Sequence, residues 1–188
     1  MTWPAMDGAP GEHPAPRVVV VGLGNVLMGD DAFGPYVARV LQARYEFPPE
    51  VSVQDLGTPG WDLTPHIAGA EWLVFIDTVG STSPAGTVKR YRRDEILKNP
   101  PPPRVSPHDP GLKETLLTLE FAGRAPREVL LVGVVPVDTE MRVGLREPVM
   151  AAVDTVVADV IAELEAAGYP ARPRAVPQEP DLWWEVTP

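Results

Sequence analysis

The sequence predicts an α/β fold, a three-layer α/β/α sandwich on a mainly parallel sheet of about five strands. Three observations predict it. Strand-like and helix-like segments alternate along the chain, and that order yields parallel strands joined by right-handed crossovers. The strands are short, β-branched apolar runs without polar alternation, as in strands covered by helices on both faces. The helical segments carry an apolar stripe at a spacing of three and four residues. With 188 residues, 44% of them hydrophobic, the chain has room for one domain with one sizeable core.

The elements follow in order. Residues 17–21 form a β-branched run and read as a buried strand. Gly22, Gly24 and Gly29 make the turn after it, and residues 31–45 read as a helix with Tyr36, Val37, Val40, Leu41 and Arg44 at helical spacing. Residues 51–56 are a second strand, 61–68 a short helix and 72–77 a third strand. Residues 87–91 are a weaker strand, placed on an edge. Residues 112–121 are helical and 129–135 a further buried strand. The last helix is the clearest, with Val149, Val153, Val156, Val157, Val160, Ile161 and Leu164 on one stripe. Gly168 and Pro170 end it.

Proline sets the boundaries. There are 24, with four in the first sixteen residues, six in 100–110 and five from 170 onward. Proline lacks the backbone donor and disfavours a helical residue before it. Residues 1–16 thus read as a disordered N-terminal tail, 17–168 as the α/β domain and 169–188 as a proline-rich C-terminal tail. Neither tail shows apolar periodicity, and little contribution to the core is expected from them. Trp183 and Trp184 argue the other way, because paired aromatics often dock.

Composition excludes some chemistry. There is no cysteine, which removes disulfides, thiolate nucleophiles and cysteine metal sites. The net charge of −10 disfavours nucleic acid and anionic membranes as partners. No apolar run reaches the ~20 residues of a membrane span, so no membrane insertion is expected. The first residues lack a signal-peptide pattern, and a cytoplasmic location is expected.

In doubly wound sheets, ligands bind beyond the C-terminal ends of the strands where the strand order switches. Asp30 and Asp31 follow the first strand and Asp77 ends the third. His108 lies on the proline-rich loop before the next helix. Asp31, Asp77 and His108 could share one crevice and bind a divalent transition metal. The plainer alternatives are a helix cap for Asp30 or Asp31, favoured for Asp30, a strand-end turn for Asp77 and a solvated loop histidine. Spacing alone leaves both readings open. Gly22 and Gly24 suggest a dinucleotide fingerprint, but Leu27 stands where its third glycine belongs. There is no phosphate-loop Gly-Lys-Ser/Thr, no His-Glu-x-x-His and no Gly-x-Ser-x-Gly. The glycines therefore read as a tight turn with a close backbone approach.

Residues 20–34, VVGLGNVLMGDDAFG, closely resemble the N-terminal signature of the nickel–iron hydrogenase maturation proteases. Further matches follow in the same order. Asp55-Leu56-Gly57-Thr58-Pro59-Gly60 resembles the family's Asp-Gly-Gly-Thr-x-Gly loop, Phe75-Ile76-Asp77 its strand-end aspartate and Ser106-Pro107-His108 its Ser-Pro-His loop. LVGVVP at 131–136 and Val143-Gly144-Leu145 resemble later family segments. Two positions depart: Leu56 replaces a small residue, and Ala32 stands where glycine is frequent.

The resemblance implies an α/β/α endopeptidase. Its substrate would be a hydrogenase large-subunit precursor, trimmed of its C-terminal extension once nickel has been inserted. Nickel would arrive with the precursor as the recognition element, and cadmium or zinc would substitute in crystals. By motif, the metal-binding residues fall on Asp31, Asp77 and His108. Asp31 and Asp77 are also the candidate catalytic residues, and Gly57, Thr58 and Gly60 the candidate substrate-binding ones. The competing functions are a non-proteolytic nickel-binding assembly chaperone for hydrogenase and a small-molecule metallohydrolase using the same three side chains.

Overall fold

The computed structural model describes residues 17–59, 63–98 and 112–185. Strand β1 (Val18–Leu23) leads through a 3₁₀ turn (Gly29–Ala32) into α1 (Phe33–Arg44). A two-residue strand, β2 (Tyr45–Glu46), precedes β3 (Val51–Gly57) and α2 (Leu63–Ile67). Then come β4 (Trp72–Thr78), β5 (Val88–Arg92), α3 (Arg93–Lys98), α4 (Leu112–Phe121) and β6 (Glu128–Val134). The chain closes with α5 (Glu147–Met150), α6 (Val153–Ala166) and β7 (Arg172–Pro173).

The main sheet has five strands in the order β3-β1-β4-β6-β5. Four are parallel, and the edge strand β5 runs antiparallel to β6. Side chains alternate across this sheet and build two cores. Val18, Val20, Val74, Ile76, Leu130 and Val132 face α1 and α6. Val19, Val21, Leu73, Phe75, Val129 and Leu131 face α2, α3 and α4. These are the two outer layers expected from strands that are apolar on both faces.

Two glycines let α1 sit close to the sheet. A Cβ on Gly34 would lie 2.2 Å from the Leu23 carbonyl oxygen and 2.4 Å from that of Ile76. A Cβ on Gly22 would lie 2.3 Å from the Gly34 carbonyl oxygen. The close approach expected after the first strand is thus between the start of α1 and the ends of β1 and β4.

Three details differ from the sequence expectation. The helix read from residue 31 is a 3₁₀ turn first, with the α-helix beginning at Phe33. The last apolar stripe spans two helices, because the ladder is interrupted by turns at Ala151 and Ala152; Val149 lies on α5 and the rest on α6. Its end is a Schellman motif. Gly168 takes φ 85° and donates to the Glu165 carbonyl, and the Tyr169 N–H donates to that of Leu164. Helix α3 was not foreseen.

The C-terminal stretch read as a tail lies against the domain. Its strand β7 pairs with β2, the Arg174 N–H donates to the Arg44 carbonyl and the Gln178 N–H to that of Ala43. Trp184 is 7% exposed and packs edge-on to the exposed Trp183. Residues 1–16, read as the N-terminal tail, lie outside the described residues. No helix among the described residues is long and apolar enough to cross a membrane.

Candidate active site

Strand β1 sits between β3 and β4, so the first crossover goes to one side of it and the next returns to the other. This is the switch in strand order, and the C-terminal ends of β1, β3, β4 and β6 share one rim there. Asp31 lies in the turn after β1 and Asp77 near the end of β4. Both are buried, each 7% exposed.

Hydrogen bonds fix the Asp31 carboxylate. Its Oδ2 accepts the Asn25 N–H at 2.8 Å and its Oδ1 the Thr78 hydroxyl at 3.1 Å. Thr78 is 3% exposed, and its own N–H donates to Asp77 Oδ1 at 2.5 Å. Asn25 also braces its loop, its Oδ1 accepting the Leu27 N–H at 3.0 Å. The turn needs Gly24, which takes φ 140° and donates to the Gly57 carbonyl at 2.8 Å. A Cβ there would meet the Asp31 carbonyl oxygen at 1.8 Å.

Asp30 is not a helix cap. It is fully buried, its Oδ2 accepting the Val137 N–H at 2.8 Å and its Oδ1 the Arg146 N–H at 2.7 Å. Arg142 adds an ion pair at 3.6 Å. The caps before the 3₁₀ turn and α1 are Met28 and Ala32, neither with a side-chain bond. Asp30 instead anchors the connection between β6 and α5 to the rim. Adjacent carboxylates thus divide the work, Asp30 organising the loop and Asp31 facing the rim.

Gly57 ends β3 on the same rim with φ 58°, and Thr58 after it is exposed. Asp55 orders this loop. Its Oδ1 accepts the Gly57 N–H at 3.1 Å, and its Oδ2 accepts Arg39 Nη2 from α1, also at 3.1 Å. Gly60 and His108 lie outside the described residues. Among the described residues, no three His, Cys, Asp or Glu side chains gather around a metal position. Two oxygen-donor carboxylates on one rim fit a divalent cation that draws its remaining ligands from elsewhere.

Sequence reasoning missed Thr78 and Asn25 as partners of the carboxylates. A signal existed for both. Asn25 stands inside the signature at residues 20–34, and Thr78 directly follows the strand-end aspartate. An open groove lined by Glu46, Phe47, Tyr169 and Arg172 lies where the chain enters β3, at the opposite end of the sheet, and holds neither aspartate.

Residues 35–163 match the family model described as hydrogenase maturation protease. The hydrogenase expression/formation protein HupM of Azotobacter chroococcum mcd 1 is 38% identical over 161 residues, 85% of this chain and 77% of the relative. The hydrogenase 2 maturation protease of Escherichia coli (strain K12) is 34% identical over 158 residues, 84% of this chain and 96% of the relative. The structure of the hydrogenase maturating endopeptidase HybD from E. coli superposes with a TM-score of 0.77 at 34% identity, covering 85% of this chain and 98% of that one. The hydrogenase 2 maturation peptidase of a Thaumarchaeota archaeon gives a TM-score of 0.60 at 32% identity, covering 81% and 98%. The family match spans most of the chain, the two relatives cover 85% and 84% of it at 38% and 34% identity, and the fold is shared with solved maturation endopeptidases: this chain belongs to the hydrogenase maturation protease family and is a peptidase.

Proposed function

We propose that the chain removes the C-terminal extension of a nickel-loaded hydrogenase large-subunit precursor, with nickel as the recognition element. The observation that carries this reading is that Asp31 and Asp77 are each buried at the switch in strand order and each hydrogen-bonded to Thr78. In this reading Asp31, Asp77 and His108 bind the nickel that the precursor brings, held there by the precursor's own cysteines. Two carboxylates and one imidazole, without a thiolate, are a weak nickel site. That weakness suits a metal shared with a substrate, and cadmium or zinc would fill the same positions in crystals. Bound nickel would mark the loaded precursor and polarise nearby oxygen.

Asp31 and Asp77 are also the candidate catalytic groups. A carboxylate on this rim can take the proton from a water that attacks the scissile carbonyl. Gly57, Thr58 and Gly60 would contact the peptide, with the missing Cβ of Gly57 allowing a close approach. The exposed apolar side chains of Leu27, Val137, Met141 and Val143 flank the loops anchored by Asp30, and they suit contact with a protein surface. The compartment in this reading is the cytoplasm.

The test incubates the purified enzyme with metal-free and nickel-loaded precursor and follows the released C-terminal peptide by mass spectrometry. Cleavage of the loaded form alone is expected. Equal cleavage of both forms overturns nickel recognition. Cleavage of neither overturns this substrate assignment.

A further inference from the structure

We propose that Thr78 is a positioning residue, whose hydroxyl holds the Asp31 carboxylate in register with Asp77 so that the two accept a metal together. The inference rests on the reading of Asp31 and Asp77 as a metal-binding pair.

Thr78 touches both acids by different atoms. Its N–H donates to Asp77 Oδ1 at 2.5 Å, and its hydroxyl donates to Asp31 Oδ1 at 3.1 Å. The second bond crosses from β4 to the turn after β1, joining segments 47 residues apart. Strand alternation explains why Thr78 makes this reach. Val74 and Ile76 face α1, and Leu73 and Phe75 face α2 and α4. Continued to the strand end, this parity turns Thr78 toward the α1 side, where Asp31 stands; Asp77 starts from the other face, and its Oδ1 returns to the strand edge at the Thr78 N–H.

The backbone behind the hydroxyl is held. Thr78 pairs with Val134 of β6, and the next N–H, of Val79, donates to the Val134 carbonyl at 2.9 Å. A β-branched side chain on a clamped strand has few rotamers, so the hydroxyl is fixed in direction. The Asn25 N–H fixes the other Asp31 oxygen from the opposite side. Without the hydroxyl, Oδ1 of Asp31 would lose the donor that ties it to β4. A partner that orients a metal-binding carboxylate changes metal affinity about 10- to 100-fold when removed.

The experiment uses the full chain, with cadmium ion as the probe in titration calorimetry, on wild type, Thr78→Val, Thr78→Ser and Asp31→Ala. Thr78→Val keeps the shape and removes the donor; Thr78→Ser keeps the donor. We expect the valine variant to bind cadmium about tenfold more weakly and the serine variant to stay within about threefold of wild type. Cleavage rates on nickel-loaded precursor should follow the same order. Thr78→Val equal to wild type, with Asp31→Ala weakened, overturns the role of Thr78 alone. Thr78→Ser as weak as Thr78→Val also overturns it, because a retained hydroxyl would then not preserve the site. Asp31→Ala equal to wild type overturns the metal-site reading itself, and the proposal with it.

Discussion

Oδ1 of Asp30 accepts the backbone N–H of Arg146 at 2.7 Å, tying the turn after β1 to the start of α5 across 116 residues of chain. The other oxygen takes the N–H of Val137. One buried carboxylate therefore holds both ends of the loop that borders the rim, and Asp31 beside it is held by different partners.

The two neighbours should respond differently to the same substitution. Asp30→Ala leaves two backbone donors without their acceptor in a buried setting, at a cost of about 3 kcal/mol. Asp31→Ala should cost less stability and abolish most processing of nickel-loaded precursor. Asp31→Glu should be milder, because the charge and oxygen donor remain. Urea denaturation and peptide release, measured on both alanine variants, check this. Equal stability losses would show that the division of labour is wrong.

Gly34 should not tolerate a methyl group. The added Cβ would fall against two carbonyl oxygens of strand backbone, which cannot swing away as a side chain would. Gly34→Ala should destabilise by about 3 kcal/mol through overpacking. Ala38→Gly, one turn further along α1, removes a methyl rather than adding one and should cost about 1 kcal/mol through helix propensity. Thermal melts of the two variants give the comparison, and a Gly34→Ala melt at the wild-type temperature would refute the close approach.

Glu163 carries a pH-dependent share of the stability. It is 6% exposed and receives Arg92 Nη2 at 2.9 Å and Trp72 Nε1 at 2.8 Å. Burial favours its neutral acid, but the hydrogen bonds from Arg92 and Trp72 outweigh burial and leave Glu163 below the ordinary carboxylate range. A lowered pKa means that the contribution is complete above the unfolded value of about 4.3 and fades as the pH falls through the lower folded value. Glu163→Gln should cost about 1–2 kcal/mol at neutral pH, a modest figure because Arg92 is half exposed. The gap between variant and wild type in urea midpoint should close in acid. A gap that stays constant down to strongly acidic pH would contradict the ion pair.

Removing residues 171–188 should lower the melting temperature. The segment contributes the β7 strand, two backbone bonds to the end of α1 and the buried ring of Trp184. Trp184→Ala alone should cost about 2 kcal/mol, near the lower end for burying a large side chain. A truncated chain that melts with the full one would show that the docked segment adds nothing.

The sequence by itself determined the layers and the general place of the site. Periodicity is local, and β-branched runs such as Val18–Leu23 or the stripe of α6 are forced by which faces must leave water. The strand-end rule then set Asp31 and Asp77 near one rim before any coordinates. Other features needed tertiary structure, because their partners lie far along the chain. Asp30 looks like a cap when only its neighbours are considered; its acceptors serve Val137 and Arg146, more than a hundred residues on. Helix α3 is a short charged turn, stabilised by Ile96 in the core and by Glu95 accepting the Arg92 N–H, so its apolar pattern is one buried residue with Leu97 beside it. The C-terminal stretch lacks periodicity because it docks through backbone bonds and one tryptophan, which leave no repeating trace. The bond from Thr78 to Asp31 is of the same kind. Residue types alone permit it, and only the adjacency of β1 and β4 in the sheet brings that hydroxyl within reach of that carboxylate.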